Sequence, residues 1–187
     1  MNHTVFLTVM LMGVLAFMLA SSAMAQPPQP QTFSLARHSE VEPFNDEVYV
    51  EECGACHFPY QAGLLPARSW KKLMDPAALE DHFGDNAELD EEIRAPIQAL
   101  LLKHSADASR YKRSKKIRVS LKKDEAPLRI TDVPYIRRKH HELKDKHVKA
   151  NPKVESLSYC NKCHLQAKNN SYDDDTVEIP GFGKWTW

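Results

Sequence analysis

Cys53-Gly54-Ala55-Cys56-His57 and Cys160-Asn161-Lys162-Cys163-His164 are the two stretches on which the reading of this chain turns. Each holds two thiols separated by two residues, with an imidazole directly after the second. Together they use all 4 cysteines of the 187-residue chain. Three chemistries compete for such pairs. A disulfide framework suits an oxidising compartment. A Cys-x-x-Cys pair brought against its mate makes a zinc site. Alternatively, two thiols add across the two vinyl groups of a porphyrin. Two intervening residues let both sulfurs reach one ring edge, and the following His then lies under the iron as proximal ligand. Neither disulfide nor zinc chemistry requires His after each pair. With 9 His in the chain, chance places one after both pairs in roughly one case in four hundred, taking positions as independent. A thioredoxin-like redox pair needs an α/β pattern around it, and none is present. The motifs therefore predict two covalently bound haem c groups. Cys53, Cys56, Cys160 and Cys163 hold them, with His57 and His164 as proximal iron ligands.

Working outward, the first 25 residues read as a signal peptide rather than as fold. Val5 to Ala20 is apolar and uncharged, and Ser21-Ser22-Ala23-Met24-Ala25 is a small-x-small cleavage pattern. The apolar run is short for a full membrane span, and no later segment is apolar enough to cross. The expectation is export to a periplasm with no stable membrane insertion after cleavage. Gln26 to Phe33, rich in Pro and Gln, reads as a flexible leader.

The net charge is zero, but the halves differ. Residues 26–108 hold 15 Asp/Glu against 6 Lys/Arg, and residues 109–187 hold 10 against 19. Such a split has two readings: two solvated surfaces that differ in charge, or a dipole that steers charged protein partners to opposite ends. An exported haem protein has little occasion to meet nucleic acid, so the basic run Arg110 to Lys123 reads as a protein-docking candidate. The same composition shift marks the expected boundary between an N-terminal haem domain, 26–108, and a C-terminal one, 109–187.

The expected fold is mainly α: two small haem-binding domains of cytochrome c type, with a short β-hairpin in the second half. Glu47 to Cys56 delivers the first Cys pair on a helix or turn. Ser69 is a candidate N-cap for a helix through Met74, and Asp75-Pro76 either caps a second turn or kinks that helix. That stretch ends at His82-Phe83-Gly84. Asp90 starts the clearest helix, with Ile93, Ile97, Leu100, Leu101 and His104 on one face and Pro96 inside. Ile117, Val119 and Leu121 alternate with polar residues and predict a strand, paired across a turn at Asp124–Pro127 with Leu128 and Ile130. Tyr135 to Val148 reads as a basic helix ended before Pro152.

The sixth iron position is constrained by a scarcity. Met74 is the only methionine after the signal segment, so at most one haem can be His/Met ligated. Met ligation raises the reduction potential, so Met-poor haems sit low. His38, His82, His104, His140, His141 and His147 remain as distal candidates. Spacing favours His82 over His104 in the first half. In the second half His140, His141 and His147 stay open. Neighbouring residues on a helix point about 100° apart, so His140 and His141 do not both face one iron.

The sequence resembles the bacterial dihaem cytochrome c family, whose members partner small oxygen-binding monohaem cytochromes c or membrane b-type cytochromes. Matching stretches are Glu51 to His57, Leu65-Pro66-Ala67-Arg68-Ser69-Trp70, Asp81-His82-Phe83-Gly84, Pro127-Leu128-Arg129-Ile130-Thr131, Arg138-Lys139-His140 and Cys160 to His164. The tail from Gly181 onward has no counterpart in the resemblance. The resemblance implies bis-His coordination at both irons, with His82 distal at the first and His140 distal at the second.

The expected function is that of a periplasmic electron carrier, not an enzyme, passing electrons between redox partner proteins through two low-potential haems. Six-coordinate irons leave no site for substrate. The alternatives, a dihaem peroxidase-like enzyme or a haem-based gas sensor, each need one open iron, which Met74 leaves conceivable.

Overall fold

Asp46 sets the first element of the computed structural model, which describes residues 39–185. Its carboxylate accepts from the Tyr49 backbone N–H at 2.9 Å and caps helix α1, Glu47–Gly54. The signal segment, the Pro/Gln leader and His38 lie outside the described residues. Among those described, the chain is mainly helical, with one short two-stranded hairpin.

After α1, a 3₁₀ turn at Ala62–Leu64 leads into α2, Ala67–Leu73. Pro66, not Ser69, occupies the N-cap position of α2; Ser69 is fully buried one turn in. Pro66 has an extended ψ of 157° that launches the helix, and its carbonyl accepts from the Ser69 N–H at 2.9 Å. Asp75 caps α3, Pro76–Glu80, with Pro at the first position as expected. Asp90 precedes α4, Glu91–Lys103. Its acidic first turn and its Lys103 near the end suit the helix dipole. Ile97 and Leu101, one turn apart, are fully buried. Pro96 lies within the helix.

The strand expected around Ile117 is instead helix α5, Lys112–Ser120. Period-two alternation would put Ile117 and Val119 on one face. The helix buries Arg113, Ser114 and Ile117, and leaves Val119 77% exposed. Lys and Arg are good helix formers, and burial of one helical stripe overrides the short alternation. Ile130, expected to return as a second strand, opens a 3₁₀ turn, Ile130–Asp132, before α6, Pro134–Lys139. The basic helix expected to reach Val148 ends at Lys139 and resumes only as a 3₁₀ turn at Asp145–His147. A short helix α7, Cys160–Cys163, carries the second Cys pair. The hairpin of the second half does exist, but later: β1, Glu178–Ile179, pairs antiparallel with β2, Gly183–Lys184. Gly181 and Gly183, at φ 84° and 81°, supply the left-handed backbone that the turn requires.

One core runs through the described residues. Val41, Leu65, Leu101, Ile117, Val133 and Tyr172 belong to a single buried cluster, so segments on both sides of Ala108 share it. Gln61 stitches them polarly: its Nε2 donates to the Ala167 carbonyl at 2.9 Å, and its Oε1 accepts from the Tyr172 hydroxyl at 2.5 Å. The Tyr60 hydroxyl likewise donates to the Ser158 carbonyl at 2.5 Å. No described helix is long and apolar enough to cross a membrane.

Candidate functional site

Helix α1 ends at Gly54, so Cys53 sits on its last turn, and Cys56 and His57 follow as the chain leaves it. The His57 ring is fixed on two sides. Its Nδ1 meets the Phe58 carbonyl at 2.8 Å, which makes Nδ1 the donor and leaves the Nε2 lone pair free. Its ring stacks on Tyr60 at 5.1 Å.

Across from it stands His82, held by a tight turn. The His82 N–H donates to the Asp85 carbonyl at 2.7 Å, and Asp85 returns a bond at 3.4 Å. The two residues between, Phe83 and Gly84, both have positive φ, 62° and 105°. A turn with both central residues left-handed is the kind that closes a two-residue hairpin. Gly supplies this freely, whereas Phe83 is strained there. Two contacts support Phe83: its ring lies 4.8 Å from His82, and the Arg129 guanidinium sits 3.8 Å above its centroid.

The His57 and His82 ring centroids are 6.4 Å apart, with planes inclined by 21°. Two imidazoles on opposite sides of one metal, each with a metal–nitrogen bond of about 2.0 Å and a nitrogen about 1.1 Å from its ring centre, separate by roughly 6.2 Å. The 6.4 Å spacing would let both rings bind a single iron.

The second pair has the same spacing. His164 caps α7, and His140 caps the end of α6. Their centroids are 6.0 Å apart, but their planes are inclined by 70°. His140 Nδ1 meets the Ile136 carbonyl at 2.8 Å, again leaving Nε2 available. Between and around them lies a cavity of about 380 Å³, within the usual range for a cofactor site. Leu64, Ile136, Leu143, Val154 and Val177 give it apolar walls. Two residues that line it each keep a buried polar atom with no hydrogen-bond partner, Arg113 Nε and His164 Nδ1.

The other described histidines, His104, His141 and His147, do not share this arrangement. His104 Nδ1 pairs with Glu42 at 2.8 Å, and its ring tilts against Phe44. His141 is 67% exposed and does not line the cavity. His147 does line it, packed between Phe182 and Trp185 at 4.8 and 5.2 Å. However, its Nδ1 accepts from the Lys144 N–H at 3.1 Å, which puts the proton on Nε2 and removes the lone pair a metal needs there. Met74 is buried in the apolar core.

The electrostatics fit the same picture. Burial, then His140 and Arg113, pull His164 down to about 3. Burial also lowers His140, and burial followed by His57 and Arg129 lowers His82. These rings stay neutral at ordinary pH, as metal ligation requires. Burial, then Glu52, pushes the Cys53 thiol up to about 11, and burial pushes Cys160 up to about 12. Such thiols lack the electropositive setting of a redox-active pair. Among the described residues no three His, Cys, Asp or Glu gather as a self-sufficient metal site. Two imidazoles at this spacing, with a Cys-x-x-Cys pair next to one of them in sequence, fit a macrocycle that would supply the remaining donors itself.

Arg113, Tyr60 and Tyr172 were not singled out by sequence reasoning. Nothing in the run Lys112–Arg118 marks Arg113 off from its neighbours except helical spacing with Ile117. The same holds for Trp185. It follows β2, donates its backbone N–H to the Val177 carbonyl at 3.0 Å, and helps line the second cavity.

The chain was compared with known proteins. The family model described as dihaem cytochrome c matches residues 49–172. No curated protein matched. Among solved structures, a diheme cytochrome type c from Shewanella baltica OS155 is 40% identical, with a TM-score of 0.62, covering 77% of this chain and 99% of that one. A diheme cytochrome c from Rhodobacter sphaeroides is 39% identical, with a TM-score of 0.60, covering 68% of this chain and 96% of that one. The Cys pairs, the facing imidazoles and these likenesses converge: the chain belongs to the dihaem cytochrome c family and carries two covalently attached haem c groups with iron.

Proposed function

We propose that this cytochrome is a periplasmic, low-potential electron relay in which both irons are bis-His ligated and therefore closed to substrate. Cys53 and Cys56 tether the first haem, with His57 proximal and His82 distal. Cys160 and Cys163 tether the second, with His164 proximal and His140 distal. The observation that carries this reading is the pair of facing imidazoles, 6.4 and 6.0 Å apart, close to the spacing of two axial ligands on one iron.

The haems supply one-electron redox chemistry at iron; the chain supplies position and environment. The Nδ1 bonds of His57 and His140 to backbone carbonyls fix ring orientation and tautomer, as they do for metal-bound histidines generally. Apolar side chains form much of the wall of the second cavity. With Met74 packed in the core, no methionine among the described residues competes for an iron ligand position, which favours a low potential. Export by the N-terminal signal segment would deliver the chain to the compartment where its partners lie. Those partners are redox proteins, in keeping with the family resemblance a small oxygen-binding monohaem cytochrome c or a membrane b-type cytochrome.

Carbon monoxide tests the proposal. It needs an open position on ferrous iron, so the reduced protein is expected not to bind it rapidly. Rapid stoichiometric binding to one haem would instead favour a peroxidase-like or gas-sensing role. His82→Ala and His140→Ala should each open a single, different haem to the gas. If either variant kept both low-spin spectra unchanged, that ligand assignment would be wrong.

A further inference from the structure

Helix α6 serves two places at once. It sends Ile136, Arg137 and His140 to the second haem cavity and Tyr135 and Arg138 to a separate surface groove, while Lys139 borders both. The groove encloses about 480 Å³ and is lined by Lys116, Val119, Ser120, Tyr135, Arg138 and Lys139. Its floor is the buried Tyr135 ring. Lys116 Nζ stands 5.8 Å from the centre of that ring and Arg138 Cζ 5.7 Å, with Arg113 Cζ at 6.0 Å.

Three cations thus converge on one ring. Arg113 is answered by Glu40, and Lys139 by Asp174 at 3.0 Å. Among the described residues neither Lys116 nor Arg138 has a carboxylate partner. Attraction to the ring face offsets only part of their mutual repulsion. A concave wall focuses the remaining positive potential into the groove. Val119 adds an apolar contact at its edge, 77% exposed although its helix has a buried face. A charged rim beside a small apolar patch is how transient redox complexes are built: small in area, fast to form and sensitive to salt.

We propose that this groove is the docking site for an acidic redox protein, whose surface carboxylates seat between Lys116 and Arg138 and exchange electrons with the second haem. The inference rests on the electron-relay reading above. Lys139 lines both the groove and the cavity that His140 lines, so a partner docked in the groove lies next to the wall of the second haem cavity.

Flavodoxin hydroquinone, a small acidic reductant, serves as the probe for the haem-loaded full-length protein in stopped-flow measurements. K116E/R138E reverses the groove, and K71E/K72E makes the same change in net charge elsewhere on exposed surface. At low salt the groove variant should be reduced at least about tenfold more slowly than the parent, with a flatter ionic-strength dependence. The control variant should stay within about twofold of the parent. Reduction by dithionite and both haem spectra should be the same in all three proteins. Equal slowing in the two variants would assign the effect to overall charge and overturn the proposal, as would an unaltered rate in the groove variant. Failure of the relay reading itself would show separately, as carbon monoxide binding to the parent.

Discussion

Arg113→Met removes a guanidinium that three groups hold in place. Its Nη1 donates to the Tyr135 hydroxyl at 3.1 Å; its Nη2 donates to the Tyr172 carbonyl at 2.9 Å and to the Glu40 carboxylate. Its backbone N–H also reaches the Glu40 carbonyl at 3.2 Å, so residues near position 40, α5 and the chain after α7 are joined at one point. The Arg113 side chain is only 9% exposed, while Glu40 is 23% exposed. Removing one partner of a buried pair costs about 3–5 kcal/mol, because the other charge is left uncompensated. Partial exposure lets Glu40 regain some water, which places the loss near the low end, about 3 kcal/mol. For a domain of this size that lowers the melting temperature by roughly 6–12 °C. Arg113→Lys keeps the charge but not the fork, and should recover only part of the loss. A redox effect should accompany the change in stability. The lost positive charge lies beside the second haem cavity and favoured the reduced state, so that haem's potential should fall by some tens of millivolts. Thermal unfolding followed at the Soret band and a spectroelectrochemical titration read the two effects. A melting temperature within about 2 °C of the parent would refute the accounting.

Other outcomes follow from the same geometry. Burial holds the Tyr49 and Tyr172 hydroxyls well above the ordinary value of 10, so both resist the ionisation that the unfolded chain undergoes. Their contribution to stability is therefore present below about 10 and is lost as pH rises above it. A urea midpoint that failed to drop between pH 8 and pH 11 would contradict this. Gly63→Ala should destabilise by about 1–3 kcal/mol. The added methyl would sit 2.6 Å from Ser114 Oγ and 3.1 Å from Val41 Cγ1, where α5 meets the 3₁₀ turn. The denaturant midpoint measures it, and Gly63→Ala combined with Ser114→Gly should recover part of the loss.

What could be read from the sequence was what the sequence holds locally. Each Cys-x-x-Cys-His motif is complete within five residues, so its chemistry needed no tertiary information. Caps written into one turn, Asp75 before Pro76 and Asp90 before Glu91, also placed their helices. The alternation at Ile117, Val119 and Leu121 misled because a short run with a single deeply buried residue fits a strand and a helix equally well. Which of its cations turns inward depends on Glu40 and Tyr172, far away in sequence. The hairpin was placed some fifty residues early for a similar reason: Glu178–Ile179 and Gly183–Lys184 are too short to show periodicity. Spacing alone left His140, His141 and His147 undivided. Their difference lies in exposure and in which ring nitrogen is already bonded, and both are properties of the folded chain.

The most direct test of bis-His ligation at both irons is low-temperature electron spin resonance of the fully oxidised protein. The account predicts that all the iron is low-spin, in two signals of equal weight. Ring planes inclined by 21° at the first site should give a rhombic signal, and planes inclined by 70° at the second a strongly anisotropic one with a single prominent low-field feature. A high-spin signal carrying half the iron would contradict the account, because it would mean that one of the two irons has an open or weakly held sixth position.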